Sequence, residues 1–319
     1  MTAVLNDPIF RDEAKAREWL EARVWPNGPV CSHCGATSDQ VTKLEGEKHR
    51  PGLYQCNQCR EQFTVTVGTV FERSKIPLTK WLAALFLMTA SKKGISAHQV
   101  HRMLGISYKS TWFMMHRLRE AMRPAFAPVM GGDGGTVEMD TTFVGGLEKN
   151  KHSKKRIKGA AGGFGKEPVV SLVERSGKVT SHHVPQVTAK NVGAILDAQL
   201  HDDAILYTDD DRTFRTVKPR HRPHAVIKHS TGEYVRGDVH TNTIEGYFSI
   251  LKRGINGVYH HVSQQHLKRY LAEFDFRYNE RSKLGVDDED RAAKLAEGIV
   301  GKRLTYRRPN VEDDASGAN

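Results

Sequence analysis

The chain has 319 residues and carries 48 Lys and Arg against 37 Asp and Glu, a formal net charge of +11. That length suits two or three domains of roughly 100–200 residues each, and the basic excess makes a polyanion the first partner to consider. With 38% hydrophobic and 27% charged residues the composition excludes disordered and collagen-like chains, and the longest apolar run, Trp81 to Met88, has 8 residues where a bilayer span needs roughly 20.

The N-terminus, MTAVLNDPIFRDEAK, meets acidic residues before an apolar stretch forms, so no secretory leader is expected and the expected address is cytoplasmic, at the nucleoid. Cys31-x-x-Cys34 and Cys56-x-x-Cys59 follow, with 21 residues between the pairs. Two such knuckles bring four thiolates to one tetrahedral ion, which predicts a structural Zn2+ site with no open position for catalysis. Disulfides fit a cytosolic chain with these four cysteines poorly. Leu53 to Gln55 and Gln62 to Thr66 alternate as short strands do, and a zinc ribbon is expected over residues 18–70.

Residues 75–125 read as helical. Leu78 to Thr89 repeats near helical period behind Pro77. Ala97 to Leu104 and Tyr108 to Met122 are separated by Gly105-Ile106-Ser107, the pattern of a helix-turn-helix whose second helix contacts DNA. On that helix Lys109, Arg117 and Arg119 are the candidate contacts to phosphates or bases; a plain helical hairpin is the alternative. Met130 to Gly135 reads as a linker.

From residue 134 strands alternate with helices, which predicts a mixed α/β domain to about residue 283. Thr136 to Val144, Val169 to Glu174, Val179 to Val184 and Ala204 to Tyr207 read as strands; Thr188 to Leu200, Asn242 to Ile255 and Gln264 to Arg281 read as helices. Asp140 interrupts an apolar strand, with Glu138 two residues earlier on the same face, and Asp209 follows a strand end. Carboxylates at strand ends of an α/β sheet lie where ligands bind. On the helix from Asn242, Glu245 and Lys252 are seven residues apart and share a face with Asn242. Two aspartates and a glutamate supply hard oxygen ligands for two catalytic Mg2+ ions.

Basic side chains flank these residues. Lys149, Lys151, Lys154, Lys155, Arg156 and Lys158 lie in a ten-residue stretch without an acidic residue after the first strand, and Arg212, Arg215, Lys218, Arg220, Arg222, Lys228 and Arg236 follow Asp209. Lys154, Lys155 and Arg156 in particular are expected to hold DNA phosphates. His260 and His261 need no metal, because the cysteines account for the zinc. Residues 284–319 are polar and are expected to form a disordered tail.

The 35 residues between Asp209 and Glu245, and the lysine seven beyond, resemble the signature of the DDE transposases of bacterial insertion sequences. The resemblance is closest to the ISXO-like group with an N-terminal zinc ribbon. It rests on Trp25-Pro26, on Asp140-Thr141-Thr142-Phe143-Val144-Gly145-Gly146, and on HTNTIEGYFSILKRGINGVYHHVS from His240 to Ser263, and it covers residues 18 to 283. It implies a ribonuclease H-like catalytic domain over 134–283, a transposase that cuts and joins the inverted-repeat ends of its element in double-stranded DNA, and action as a homo-oligomer on DNA without a membrane partner. It also implies Asp140, Asp209 and Glu245 as the Mg2+ ligands, with Asn242 as the alternative third ligand or a substrate contact. Two other functions remain open on the residues alone: a transcriptional regulator with an inert α/β domain, and a metal-dependent nuclease that never joins strands.

Overall fold

The computed structural model describes residues 6–146, 152–156, 163–175, 177–217 and 223–305, with Lys155 and Arg215 described in their backbone alone. The sequence-expected contacts Lys149, Lys151, Lys158, Lys218, Arg220 and Arg222 lie outside the described residues. The chain divides into two compact units, one made of Met1–Ala90, Ala97–Met122 and Asp288–Asn319, the other of Ser91–Ser96 and Arg123–Asp287.

The first unit opens with α1 (Glu13–Val24), whose N-cap Asp12 accepts from the Ala14 amide at 2.7 Å and the Lys15 amide at 3.2 Å. Strands β1 (Val41–Leu44), β2 (Leu53–Cys56) and β3 (Gln62–Phe63) make a small antiparallel sheet in that order. Tyr54, Phe63 and the buried sulfurs of Cys31 and Cys56 form its core, with Trp25 edge-on to both rings. Three helices follow: α2 (Leu78–Ala90), α3 (Ala97–Leu104) and α4 (Tyr108–Ala121). Glu13 caps α2 from α1, accepting from the Leu78 amide at 3.1 Å and the Thr79 amide at 3.0 Å.

The second unit is a five-stranded sheet in the order β6-β5-β4-β7-β8, built from β4 (Thr136–Val144), β5 (Glu167–Glu174), β6 (Val179–His183), β7 (Ile205–Asp209) and β8 (His224–Ile227). The pairs β4–β5 and β5–β6 are antiparallel, whereas β4–β7 and β7–β8 are parallel. Helices α5 (Ala189–Gln199) and α6 (Arg212–Thr216) cover one face; α7 (Asn242–Gly254) and α8 (Gln264–Asn279) cover the other. The period of two in β4 divides its side chains: Val137 and Met139 enter the α5 core, while Val144 enters the α7–α8 core together with Ile244, Phe248 and Leu251. Burying each of those large apolar side chains stabilises the docked α7 by roughly 1.5–3 kcal/mol.

The glycine run before β4 is no free linker. Met130 is 1% exposed and pairs by backbone hydrogen bonds with Gln199 at 2.7 Å and His201 at 2.8 Å. Gly131 has φ +79°, and a Cβ there would stand 2.4 Å from the Ala204 side chain, so that position calls for glycine.

The expected tail is corrected as well. Residues Asp288–Glu297 form α9, which returns the chain to the first unit and packs on α2. Ala292, Leu295, Ala296 and Ile299 are buried at helical spacing, and Arg291 donates to the Thr89 carbonyl at 3.2 Å. Residues 306–319 lie outside the described residues.

Candidate active site

Asp140 and Asp209 stand at matching positions on two parallel neighbours. Met139 of β4 pairs with Thr208 of β7, and each aspartate is the next residue along its strand. Neighbouring strands are about 4.8 Å apart, so the two carboxylates stand side by side, Asp140 within β4 and Asp209 as the last residue of β7. Asp140 accepts from the Thr141 amide at 2.6 Å, and Asp209 accepts from the Asp211 amide at 3.0 Å.

Burial pushes the Asp140 carboxyl up to about 7, and the negative charges of Asp209 and Glu245 push it the same way, while the Lys252 ammonium opposes them. Asp209 is also raised, first by burial and then by the charges of Asp211 and Asp210; His229 opposes. Three sequence-expected residues, Asp209, Glu245 and Lys252, are therefore within electrostatic reach of Asp140. Glu245 lies in the first turn of α7 with its side chain 52% exposed, and Asn242 is exposed at the head of the same helix.

Other residues of this site gave no signal in the sequence. His229 Nε2 lies 3.2 Å from Thr241 Oγ1 and 3.7 Å from Glu245 Oε1. Thr241 is 1% exposed and donates to Glu245 Oε1 at 3.0 Å. Glu138, expected beside Asp140, is on the same face but fully buried, and its oxygens accept from the Thr243 and Ile244 amides, the Thr243 hydroxyl and Arg175 Nε.

The sulfurs of the four cysteines lie within 4.8 Å of one another, with Cys31–Cys59 at 3.7 Å and Cys34–Cys56 at 3.6 Å. A tetrahedron with metal–sulfur bonds of about 2.3 Å has edges of about 3.8 Å, so the cluster fits one zinc ion. The Cys59 amide, helped by that of Gln58, brings the Cys56 thiol down to about 7, toward the thiolate a metal needs. Among the described residues this is the one group of three or more ligating side chains already drawn together tightly enough to hold an ion; the three carboxylates are neighbours that have not converged so closely.

Both regions match known protein families. Residues 133–279 match the model of the ISXO2-like transposase domain, and residues 11–62 match that of the transposase zinc-ribbon domain. The chain is also 30% identical over 282 residues to an uncharacterized protein in transposable element ISH50 of Halobacterium salinarum, an alignment that covers 84% of this chain and 91% of that protein. The chain belongs to the ISXO2-like transposases.

In this transposase the basic candidates divide sharply. Lys109, Lys154 and Arg156 are exposed. Arg117 and Arg119, expected to face DNA, are instead 7% and 2% exposed. Arg117 donates to the Glu72 carbonyl at 2.6 Å with its guanidinium over the rings of Trp81 and Phe113, and burial lowers its pKa. The cause lies in α4 itself, where Met114, Met115 and Leu118 are buried beside them and leave little of its second half on the surface. The exposed part is its N-terminal turn, where Ser107 accepts from the Ser110 amide at 3.2 Å and Tyr108 stacks on His98 at 4.2 Å. His260 and His261 are exposed, and the Nδ1 of His260 meets the Asn256 carbonyl at 3.1 Å. No helix among the described residues is long and apolar enough to cross a membrane.

Proposed function

We propose that this transposase binds the inverted-repeat ends of an insertion sequence, cuts DNA there by Mg2+-dependent hydrolysis and joins the freed 3′-hydroxyl to target DNA, with Asp140, Asp209 and Glu245 as its catalytic carboxylates. The observation that carries the reading is the pair of half-buried aspartates in register on the adjacent parallel strands β4 and β7, the first of them within reach of the charges of a glutamate and a lysine of α7. A central first strand, with an antiparallel pair on one side and a parallel pair on the other, supports a ribonuclease H-like domain.

The donor set fits Mg2+ because it is made of hard oxygens whose mutual repulsion a divalent cation relieves. Bound there, Mg2+ supplies Lewis acidity that activates a water or 3′-hydroxyl and neutralises the leaving oxygen of the phosphodiester. Asp140 and Asp209 hold that position rigidly, since both belong to a buried sheet. Glu245 closes it from α7, oriented by the Thr241 hydroxyl. Lys252, two turns further along α7, steadies the scissile phosphate, and Asn242 contacts the DNA backbone. Lys154, Lys155 and Arg156 hold flanking phosphates without reading bases.

End recognition falls to the first unit. The ribbon carries the structural zinc, and α3 with the exposed N-terminal turn of α4 serves as the helix-turn-helix, presenting Lys109 and Ser110 to the DNA. The transposase works there as a homo-oligomer that pairs the two ends. Supercoiled DNA carrying the element's own ends tests this reading. The wild type should nick it with Mg2+, and Asp140→Ala, Asp209→Ala or Glu245→Ala should abolish nicking while end binding persists. Glu245→Gln should fail nearly as badly, and Asn242→Ala should be milder; the reverse order would move the third ligand to Asn242.

A further inference from the structure

We propose that Glu138 is a positioning residue: by capping α7 from the neighbouring strand it fixes where Glu245 stands relative to Asp140, and thereby sets the site's affinity for divalent ions. The inference rests on the carboxylate reading above and adds a residue to it that does not touch metal or substrate.

Helix α7 begins without a cap of its own. The residue in the N-cap position, Thr241, makes no side-chain bond to the free amides of the first turn; its hydroxyl points to Glu245 Oε1 at 3.0 Å instead. Two of those amides are satisfied from β4, and that of Asn242 lies 3.4 Å from His240 Nδ1. Glu138 Oε2 accepts from the Thr243 amide at 2.8 Å and the Ile244 amide at 3.0 Å, and Oε1 accepts from the Thr243 hydroxyl at 2.8 Å. A carboxylate there also meets the positive end of the helix.

The negative charge of Glu138 is balanced within the same unit. Arg175 Nε donates to Glu138 Oε1 at 2.9 Å, its guanidinium lies 4.9 Å from the centre of the Tyr207 ring, and its other nitrogen donates to the Asp238 carbonyl at 2.7 Å. This ion pair, with Arg175 half-buried and His240 Nδ1 a further 3.3 Å from Glu138 Oε1, thus ties β4, the turn after β5 and the segment leading into α7 together. Glu138 is two residues before Asp140 on the same face of β4, and its amide partners are one and two residues before Glu245. The two ends of this short link are both candidate metal ligands. Coordination tolerates ligand displacements of only a few tenths of an ångström, so loosening the link weakens ion binding even while the fold survives. A helix needing nothing but a cap would use Thr241; here the cap comes from the strand and leaves the threonine hydroxyl to orient Glu245.

The test is a titration of the full-length protein with Mn2+ alone, without DNA, read by calorimetry and by the electron paramagnetic resonance of bound Mn2+, with thermal melting alongside. Glu138→Gln keeps the shape and an acceptor but loses the charge. We expect its Mn2+ Kd to rise about tenfold or more, with a resonance signal changed from wild type, while its circular dichroism and end binding match wild type. A lowered melting midpoint with wild-type Mn2+ Kd in the folded protein would show a merely structural role and overturn the proposal. Should Glu138→Gln give no folded protein, Thr243→Val carries the test: it deletes one hydrogen bond to Glu138 and leaves the charge, a several-fold rise in Kd is expected, and an unchanged Kd overturns the proposal. Asp140→Ala and Glu245→Ala belong in the same series. Wild-type Mn2+ binding by both would refute the carboxylate reading itself, whereas loss of binding in these two beside an unaffected Glu138→Gln would refute only the positioning role.

Discussion

Replacing Asp140 with asparagine should stabilise the protein while disabling it. The Asp140 carboxyl is raised from 3.8 to about 7, chiefly by burial and by the charge of Asp209. A shift of about three units corresponds to a cost on the order of 4 kcal/mol for keeping the ionised carboxylate in the folded state without a metal. The folded state holds the proton more tightly than the unfolded chain. The cost is therefore absent below about pH 4, grows as pH rises toward 7, and is complete above that, so wild-type stability falls across this window. Asparagine is neutral throughout and removes that part of the slope. Asp275, raised by burial to about 6, contributes a decline of the same sign that the variant retains.

At pH 8, in buffer without added divalent ion, the variant should melt about 8–16 °C higher than wild type, from a cost on the order of 4 kcal/mol at roughly 2–4 °C per kcal/mol for a unit of this size. Added Mn2+ should stabilise the wild type and close the gap, because ligand that binds the native state raises its stability by mass action. Scanning calorimetry from pH 4 to 8, with and without Mn2+, reads all of this. An Asp140→Asn protein less stable than wild type at pH 8, with an unchanged pH slope, would refute the argument that Asp140 is a buried carboxylate whose charge nothing relieves without a metal.

Three further outcomes are expected. Cys31→Ser or Cys56→Ser should lose one zinc per chain, measured by atomic emission, together with the folded ribbon signal, since metal binding and folding are one free energy at such a site. Arg117→Ala should destabilise the first unit by about 2–4 kcal/mol in thermal or urea unfolding, because it empties a buried place and frees the Glu72 carbonyl; a full-stability variant with lost DNA selectivity would return Arg117 to the DNA surface. Neutralising Lys154, Lys155 and Arg156 together should weaken specific and random DNA alike and flatten the salt dependence by roughly 0.9 for each phosphate no longer neutralised, as read by anisotropy titrations at several salt concentrations.

Patterns with a local cause were legible in the sequence. The Cys pairs spell out their geometry in four positions, and the alternation of Thr136 to Val144 and the apolar stripe Ile244, Phe248, Leu251 place β4 and α7 with their faces. Asp140 inside its strand and Asp209 at the end of another stood out because a carboxylate is costly in an apolar run and is rarely kept there without a partner or a chemical task. What depends on distant partners was not legible. Glu138 shares a face with Asp140, but its partners are 105 and 106 residues away, so the same residue reads equally as ligand or cap. Arg117 and Arg119 read as surface because arginine usually is, while α4 is buried over most of its second half and takes them inside. In α9 the apolar positions Ala292, Leu295 and Ala296 keep helical spacing, but small residues beside Asp288, Glu289 and Asp290 give a composition close to that of a solvated tail. Strand β8 has four residues and follows a run of basic ones, too short for period two to register.

The measurement that bears most directly on the account is strand transfer with precleaved ends: a DNA duplex bearing the element's end with a free 3′-hydroxyl, a labelled target duplex, and wild-type protein beside Asp140→Ala, Asp209→Ala and Glu245→Ala. The account predicts joined product from the wild type with Mg2+, none without divalent ion, and none from any of the three variants although each still shifts the end duplex in a gel. Joining by Asp140→Ala at the wild-type rate would contradict it, and so would hydrolysis by the wild type with no joined product at any Mg2+ concentration.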